Sequence, residues 1–142
     1  MAIHFTAFPD ENYFLSRYTA AVTDSELLER YRNFLESDDW QAGMNELVDV
    51  QDADVSQLSA RGLRQLQDFA ESFLGQQAAT MRTAVYAPHD LPFGLARMYA
   101  AMAENSPELI AIFRDREAAW LWLDQPKQST ERPAEASRFE SS

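Results

Sequence analysis

Ala84-Val-Tyr-Ala-Pro-His-Asp-Leu-Pro-Phe-Gly-Leu-Ala-Arg-Met-Tyr99, followed by Ile110-Ala-Ile-Phe-Arg-Asp-Arg-Glu-Ala-Ala-Trp-Leu-Trp-Leu123, decides the fold. Both stretches run from an apolar, β-prone segment through a short polar turn into a helical pattern. Met81 to Ala87 reads as a strand stopped by Pro88. Asp90, with Pro92 two residues on, then opens a helix carrying Phe93, Ala96, Tyr99, Ala100 and Ala103. Asn105-Ser106-Pro107 closes that helix. Leu109 to Phe113 is the next strand, and Asp115 caps a last helix whose apolar body is Ala118 to Leu123.

Upstream the same alternation continues. Ile3 to Phe8 and the β-rich run from Tyr13 to Val22 flank the turn residues Pro9-Asp10-Glu11-Asn12, an opening hairpin. Thr23-Asp-Ser-Glu26 has the form of a capping box, in which hydroxyl and carboxylate both take free backbone N–H groups. Leu27, Leu28, Tyr31, Phe34 and Leu35 follow it at helical spacing. Leu47, Val48 and Val50 mark a short strand whose near-continuous apolarity suits burial on both faces. Ser59 caps a helix lined by Leu63, Leu66, Ala70, Phe73 and Leu74, which Gly75 ends. A hairpin followed by helix–strand alternation predicts an α/β fold: a mostly parallel five-stranded sheet joined by right-handed crossovers, with four main helices.

The chain has 142 residues, the length of one domain. Residues 1–124 carry the periodic pattern. Residues 125–142 are rich in Gln, Ser, Glu, Pro and Arg, and the composition predicts a disordered tail. Twenty-three acidic residues against 12 basic ones give a net charge of −11, which repels nucleic acid and anionic membrane surfaces. No run of about 18 apolar residues is present, so membrane insertion is not expected. The absence of cysteine excludes disulfides and thiolate chemistry and fits a reducing cytoplasm, as does an N-terminus without a signal-peptide pattern.

Several residues stand where an open α/β sheet places binding groups. Asp49 lies in an apolar strand and needs a partner, which Arg97 supplies by reaching the sheet's carboxyl edge; alternatively Asp49 is wetted and caps the following loop. Pro88-His89-Asp90-Leu91-Pro92-Phe93-Gly94 joins a strand's carboxyl end to a helix N-terminus, where free N–H groups favour a small acidic ligand. Gly94 serves close backbone approach there or tight helix–sheet packing. His4 and His89 lie far apart in sequence, which argues against a histidine metal site. Asp49, Asp52 and Asp54 lack the glycine and distal glutamate of a calcium loop and read as a solvated acidic loop. No nucleophile elbow, phosphate loop or dinucleotide fingerprint is present, so neither catalytic residues nor a cofactor are expected. Trp120 and Trp122, with Tyr99, Met98 and Met102, form either ordinary core or an outer apolar patch.

Leu47-Val48-Asp49-Val50, Ala87 to Met98 (Ala-Pro-x-Asp-x-x-Phe-Gly-x-Ala-Arg-Met) and Phe113 to Leu123 together resemble the SpoIIAA-like family. These small bacterial proteins are related in fold to sulfate-transporter and anti-sigma-factor-antagonist (STAS) domains and grouped with SEC14-like lipid-binding modules. The resemblance implies a twisted, mostly parallel sheet with β-α superhelical winding, and covers Ile3 to about Asp124. In STAS antagonists an Asp-Ser-Ser-Gly-Leu run carries a phosphorylated serine. Here the matching run is Ser59-Ala60-Arg61-Gly62-Leu63, where Ala60 and Arg61 replace the serines; capping accounts for the Ser59 hydroxyl.

Two functions are therefore expected. The first is a non-enzymatic STAS-like regulatory or interaction module, binding a protein partner or itself as a homodimer. The second, from the SEC14 kinship, is binding of a small apolar or acidic ligand between the third helix and the sheet, with Arg97 anchoring its polar end. That ligand would need a cavity of about 300 Å³ or more lined by Phe93 and Met98. The candidate ligand or partner residues are Asp49, Ser59, His89, Asp90, Phe93, Gly94, Arg97 and Met98, and the candidate interface residues are Tyr99, Met102, Trp120 and Trp122.

Overall fold

A computed structural model of the chain describes residues 2–124; the predicted tail at 125–142 lies outside the described residues. Strands β1 (Ile3–Phe8) and β2 (Tyr13–Tyr18) form the expected antiparallel hairpin, in register from Ile3 opposite Tyr18 to Phe8 opposite Tyr13. The turn between them is a short 3₁₀ segment at Pro9–Glu11. Asn12 closes it in the left-handed region at φ 61°, and its amide donates to the Gly43 carbonyl. Strands β3 (Asn45–Asp49), β4 (Met81–Tyr86) and β5 (Glu108–Phe113) then add in parallel, so strand order follows sequence order.

That order fixes where the helices go. Helices α1 (Asp24–Leu35), α2 (Ala60–Gln76) and α3 (Asp90–Met102) each link one parallel strand to the next neighbour on the same side. Right-handed crossovers advancing in one direction stack all three on a single face. Helix α4 (Arg116–Leu123) follows the last strand, is not a crossover, and packs on the opposite face against β3, β4 and β5. Side chains alternate across the sheet accordingly. Val48, Val85 and Ile110 enter the core under α1–α3, whereas Ala84, Ala111 and Phe113 enter the core under α4 with Trp122 and Leu123.

Several local expectations are corrected. Strand β2 stops at Tyr18 rather than Val22; beyond it Ala21 makes only an isolated bridge to Asp54 before Thr23 starts α1. The capping box is half formed. Thr23 accepts from the Glu26 N–H, but the Glu26 carboxylate takes the Ala2 N–H and ties down the first strand. Gly75 lies inside α2 and does not end it; the left-handed residue after that helix is Ala78, at φ 51°. Ser59 caps α2 as predicted, accepting from the Gly62 N–H, and its own hydroxyl donates to Asp24. Here the starts of α1 and α2 meet so closely that a Cβ on Gly62 would collide with the Asp24 side chain, which is the reason for glycine at that position.

Among the described residues no helix is long and apolar enough to cross a membrane.

Candidate functional site

Period-two alternation puts four polar side chains on the helix-bearing face of the sheet: Ser16 on β2, Glu46 on β3, Thr83 on β4 and Glu108 on β5. Glu46 is 2% exposed and Glu108 5%. The cost of burying such groups is offset by hydroxyls converging on them. Glu46 Oε2 accepts from Ser16 at 2.6 Å and from Tyr31 of α1 at 2.6 Å, and Tyr31 in turn accepts from Tyr18 at 2.8 Å. Glu108 Oε2 accepts from Thr83 at 2.5 Å, and Tyr99 of α3 also hydrogen-bonds this carboxyl. Thr83, on the strand between them, is within hydrogen-bonding reach of Glu46 as well.

Among the described residues no positive side chain enters this cluster, and its titration reflects that. Burial pushes the Glu46 carboxyl up to about 8, with the nearby Glu108 adding to the rise and the hydroxyl donors opposing it. Burial likewise pushes Glu108 up to about 7, against the hydrogen bonds from Thr83 and Tyr99. Tyr18, Tyr31 and Tyr99 are all raised, chiefly by burial and then by the carboxyls beside them, so they stay neutral hydroxyls.

The cluster is the polar end of an otherwise apolar cavity of about 100 Å³. Its walls come from Leu27 of α1, Leu63, Leu66 and Ala70 of α2, Pro92, Leu95 and Ala96 of α3, the Val50–Leu58 loop, and Val48, Val85 and Ile110 of the sheet. It lies between the sheet and all three crossover helices, not between α3 and the sheet alone. It is smaller than the predicted cavity, and Phe93 and Met98 are not among its walls.

The predicted residues fall mostly outside it. Asp49 ends β3 and pairs with Arg116, at 3.0 Å, rather than with Arg97; its other oxygen accepts from the Gln51 N–H, so the loop-capping alternative holds. Arg116 starts α4, which folds back under the sheet edge, and its guanidinium also reaches the Gln51 side chain. Arg97 is exposed and its guanidinium lies over Phe93 at 5.9 Å, so it anchors nothing inside the cavity. At the α3 N-terminus it is Arg114 that binds Asp90, at 2.7 Å, and the Pro88 carbonyl, and stacks on Phe93 at 4.2 Å. His89 is exposed and caps α3 without a side-chain hydrogen bond. Nothing lies within 4 Å of a Cβ built on Gly94, which overturns tight helix–sheet packing as its reason.

Of the interface candidates, Trp122 is 5% exposed and belongs to the α4 core. Tyr99 turns inward to Glu108, Met102 packs on the core under α3, and Trp120 stands edge-on to Tyr13 at 5.0 Å. Met98 remains exposed at 41%.

Glu46 and Glu108 were not singled out by the sequence reading. The available signal was an acid at the head of an apolar stripe of period two, Glu46-x-Val48-x-Val50 and Glu108-x-Ile110-x-Ile112.

Compared with models of known families and with curated proteins, the sequence matches none. The structure is similar to the crystal structure of an uncharacterized protein of the DUF3478 family with a SpoIIAA-like fold from Shewanella loihica PV-4. The TM-score is 0.51 at 17% sequence identity, over 86% of this chain and 92% of that one. At that identity the likeness is one of architecture, and with its hairpin, parallel strands in sequence order and three helices on one face, this chain has a SpoIIAA-like fold.

Proposed function

We propose that the protein is a binding module that takes a small, largely apolar molecule into the cavity between the sheet and helices α1–α3. The observation that supports this most is the composition of the cavity: hydrocarbon walls from α1, α2, α3, the Val50–Leu58 loop and the sheet, and at one end two carboxyls and three tyrosine hydroxyls. Ligand pockets commonly combine apolar walls with a few convergent polar groups that fix orientation. A core built for stability alone gains little from such groups, since apolar residues of similar volume do as well or better. An apolar space of this order is large enough for a small hydrocarbon body, as an engineered cavity of about 150 Å³ admits benzene.

The test is a titration of the full chain with cyclopentanol, followed by methyl NMR. Binding should shift Val48, Leu66 and Ile110 together, and native mass spectrometry of protein purified without denaturation should reveal any small molecule carried along. If saturating probe moves only surface signals, the cavity is not a binding site.

A second reading, self-association or docking of a protein partner, is supported by Leu91 and Met98. They are 56% and 41% exposed and lie seven residues apart, hence on one side of α3. Sedimentation of the wild-type chain and of Met98→Glu tests it: a concentration-dependent dimer lost in the variant supports it, and a monomer throughout removes it. The lack of cysteine supports a reducing cytoplasm as the compartment for either reading.

A further inference from the structure

The polar end of the cavity has more acceptors than donors. Of the hydroxyls there, Ser16 and Tyr31 give their protons to Glu46, Thr83 gives its proton to Glu108, Tyr99 is engaged with Glu108, and Tyr18 donates to Tyr31. A hydroxyl has one proton to donate, so with these commitments the carboxyl oxygens, once their shared proton has left, offer a ligand lone pairs. Among the described residues no Arg, Lys or His lines the cavity to balance charge on these carboxyls.

Resting on the cavity reading above, we propose that the ligand is an amine with a small apolar body, its ammonium group held between Glu46 and Glu108 beside Tyr18, Tyr31 and Tyr99. Thr83 makes the two carboxyls converge, because its side chain is within reach of both from the intervening strand. With two buried carboxyls close together and no cation among the described residues to balance them, the empty site holds a proton on the pair at neutral pH. An ammonium brings three N–H donors and the missing positive charge, and that proton leaves to solvent as the amine enters. Tyrosine rings suit such a cation as well.

Among the described residues, the elements facing the pair are β2, α1, α2 and α3 beside its own strands. Tyr18 of β2, Tyr31 of α1 and Tyr99 of α3 are its titratable neighbours, while α2 presents only Leu63, Leu66 and Ala70 to the cavity. Because Glu46 and Glu108 titrate at about 8 and about 7, amine affinity should rise with pH through that interval and then level off.

The experiment is calorimetry of the full chain with cyclopentylamine and, as the neutral counterpart, cyclopentanol, at about pH 6 and about pH 9 and in buffers of different ionisation enthalpy. The expected result is an amine preference of about tenfold or more at the higher pH, with proton release at the lower. Glu46→Gln and Glu108→Gln should each abolish that preference, a cooperative urea transition showing that each variant folds, whereas Arg116→Ala, outside the cavity, should keep it. Equal or tighter binding of the alcohol at the higher pH, or amine affinity that falls as pH rises, overturns the amine assignment but leaves the cavity reading standing. Failure of both probes to bind overturns both.

Discussion

The acids at the carboxyl rim of the sheet and the acids inside it live under opposite rules. Asp49, Asp52 and Asp90 at the rim each face an arginine: Arg116 at 3.0 Å, Arg17 at 3.4 Å and Arg114 at 2.7 Å. Water screens these pairs, and most of them add little to stability. Glu46, three residues before Asp49 in β3, and Glu108 at the start of β5 lie out of water, with hydroxyls and, among the described residues, no cation. The comparison teaches that an ion pair is a poor guide to function in this molecule. The rim is where topology tells one to look, yet the unusual chemistry is where charge has been left without a counter-charge.

The contrast can be broken or sharpened in four places. The largest effect belongs to the apolar core under α4. Trp122→Ala empties the core under α4, where Arg82 donates to the Leu123 carbonyl, and should cost about 3–5 kcal/mol in urea unfolding without changing probe affinity in the cavity. A change in that affinity would mean that the two faces are coupled.

Next is the pH dependence of stability. Glu46 and Glu108 hold protons more tightly folded than unfolded, their ordinary value being 4.5 and their folded values about 8 and about 7. Between those limits the folded state binds more protons than the unfolded one, so stability falls as pH rises. The contribution is fully present below about pH 4.5 and lost by about pH 8, on the order of a few kcal/mol for the pair. Glu46→Gln with Glu108→Gln should flatten this slope in denaturant titrations. A wild-type profile that is already flat would show that the pair is charge-compensated.

Gly62→Ala comes third, at about 1–3 kcal/mol, because the new methyl collides with Asp24 and displaces it from Ser59. Thermal unfolding reads it, and Asp24→Ala in the same chain should relieve part of the loss. The smallest effect is Arg116→Ala at the rim. The arginine side chain is 60% exposed, so the loss should stay below about 1 kcal/mol and shrink further in salt. A larger loss would make the rim structural after all.

The hairpin, the two later strand–helix units and most helix starts were legible because local rules write them. Thr23, Ser59 and Asp115 each accept the backbone N–H expected of an N-cap. Gly75 misled because glycine is favoured at helix ends yet tolerated inside; the chain took its left-handed residue three positions later, at Ala78. Arg97 misled for a longer-range reason. Its distance along α3 suited the rim, but Arg116 reaches Asp49 first because α4 folds back on the far face. Tyr31 and Tyr99 were read as helix-face residues, which they are, and nothing local says that their hydroxyls end on two carboxyls.

By itself the sequence determined the order and kind of the elements, the direction of the strands and the acidic, cysteine-free character of the chain, because periodicity, capping and composition act over a few residues. Only the tertiary structure decided that Ser16, Glu46, Thr83 and Glu108 share one buried face beneath Tyr18, Tyr31 and Tyr99. That meeting depends on strand register and on three crossovers stacking their helices on the same side, and no window of sequence spans it.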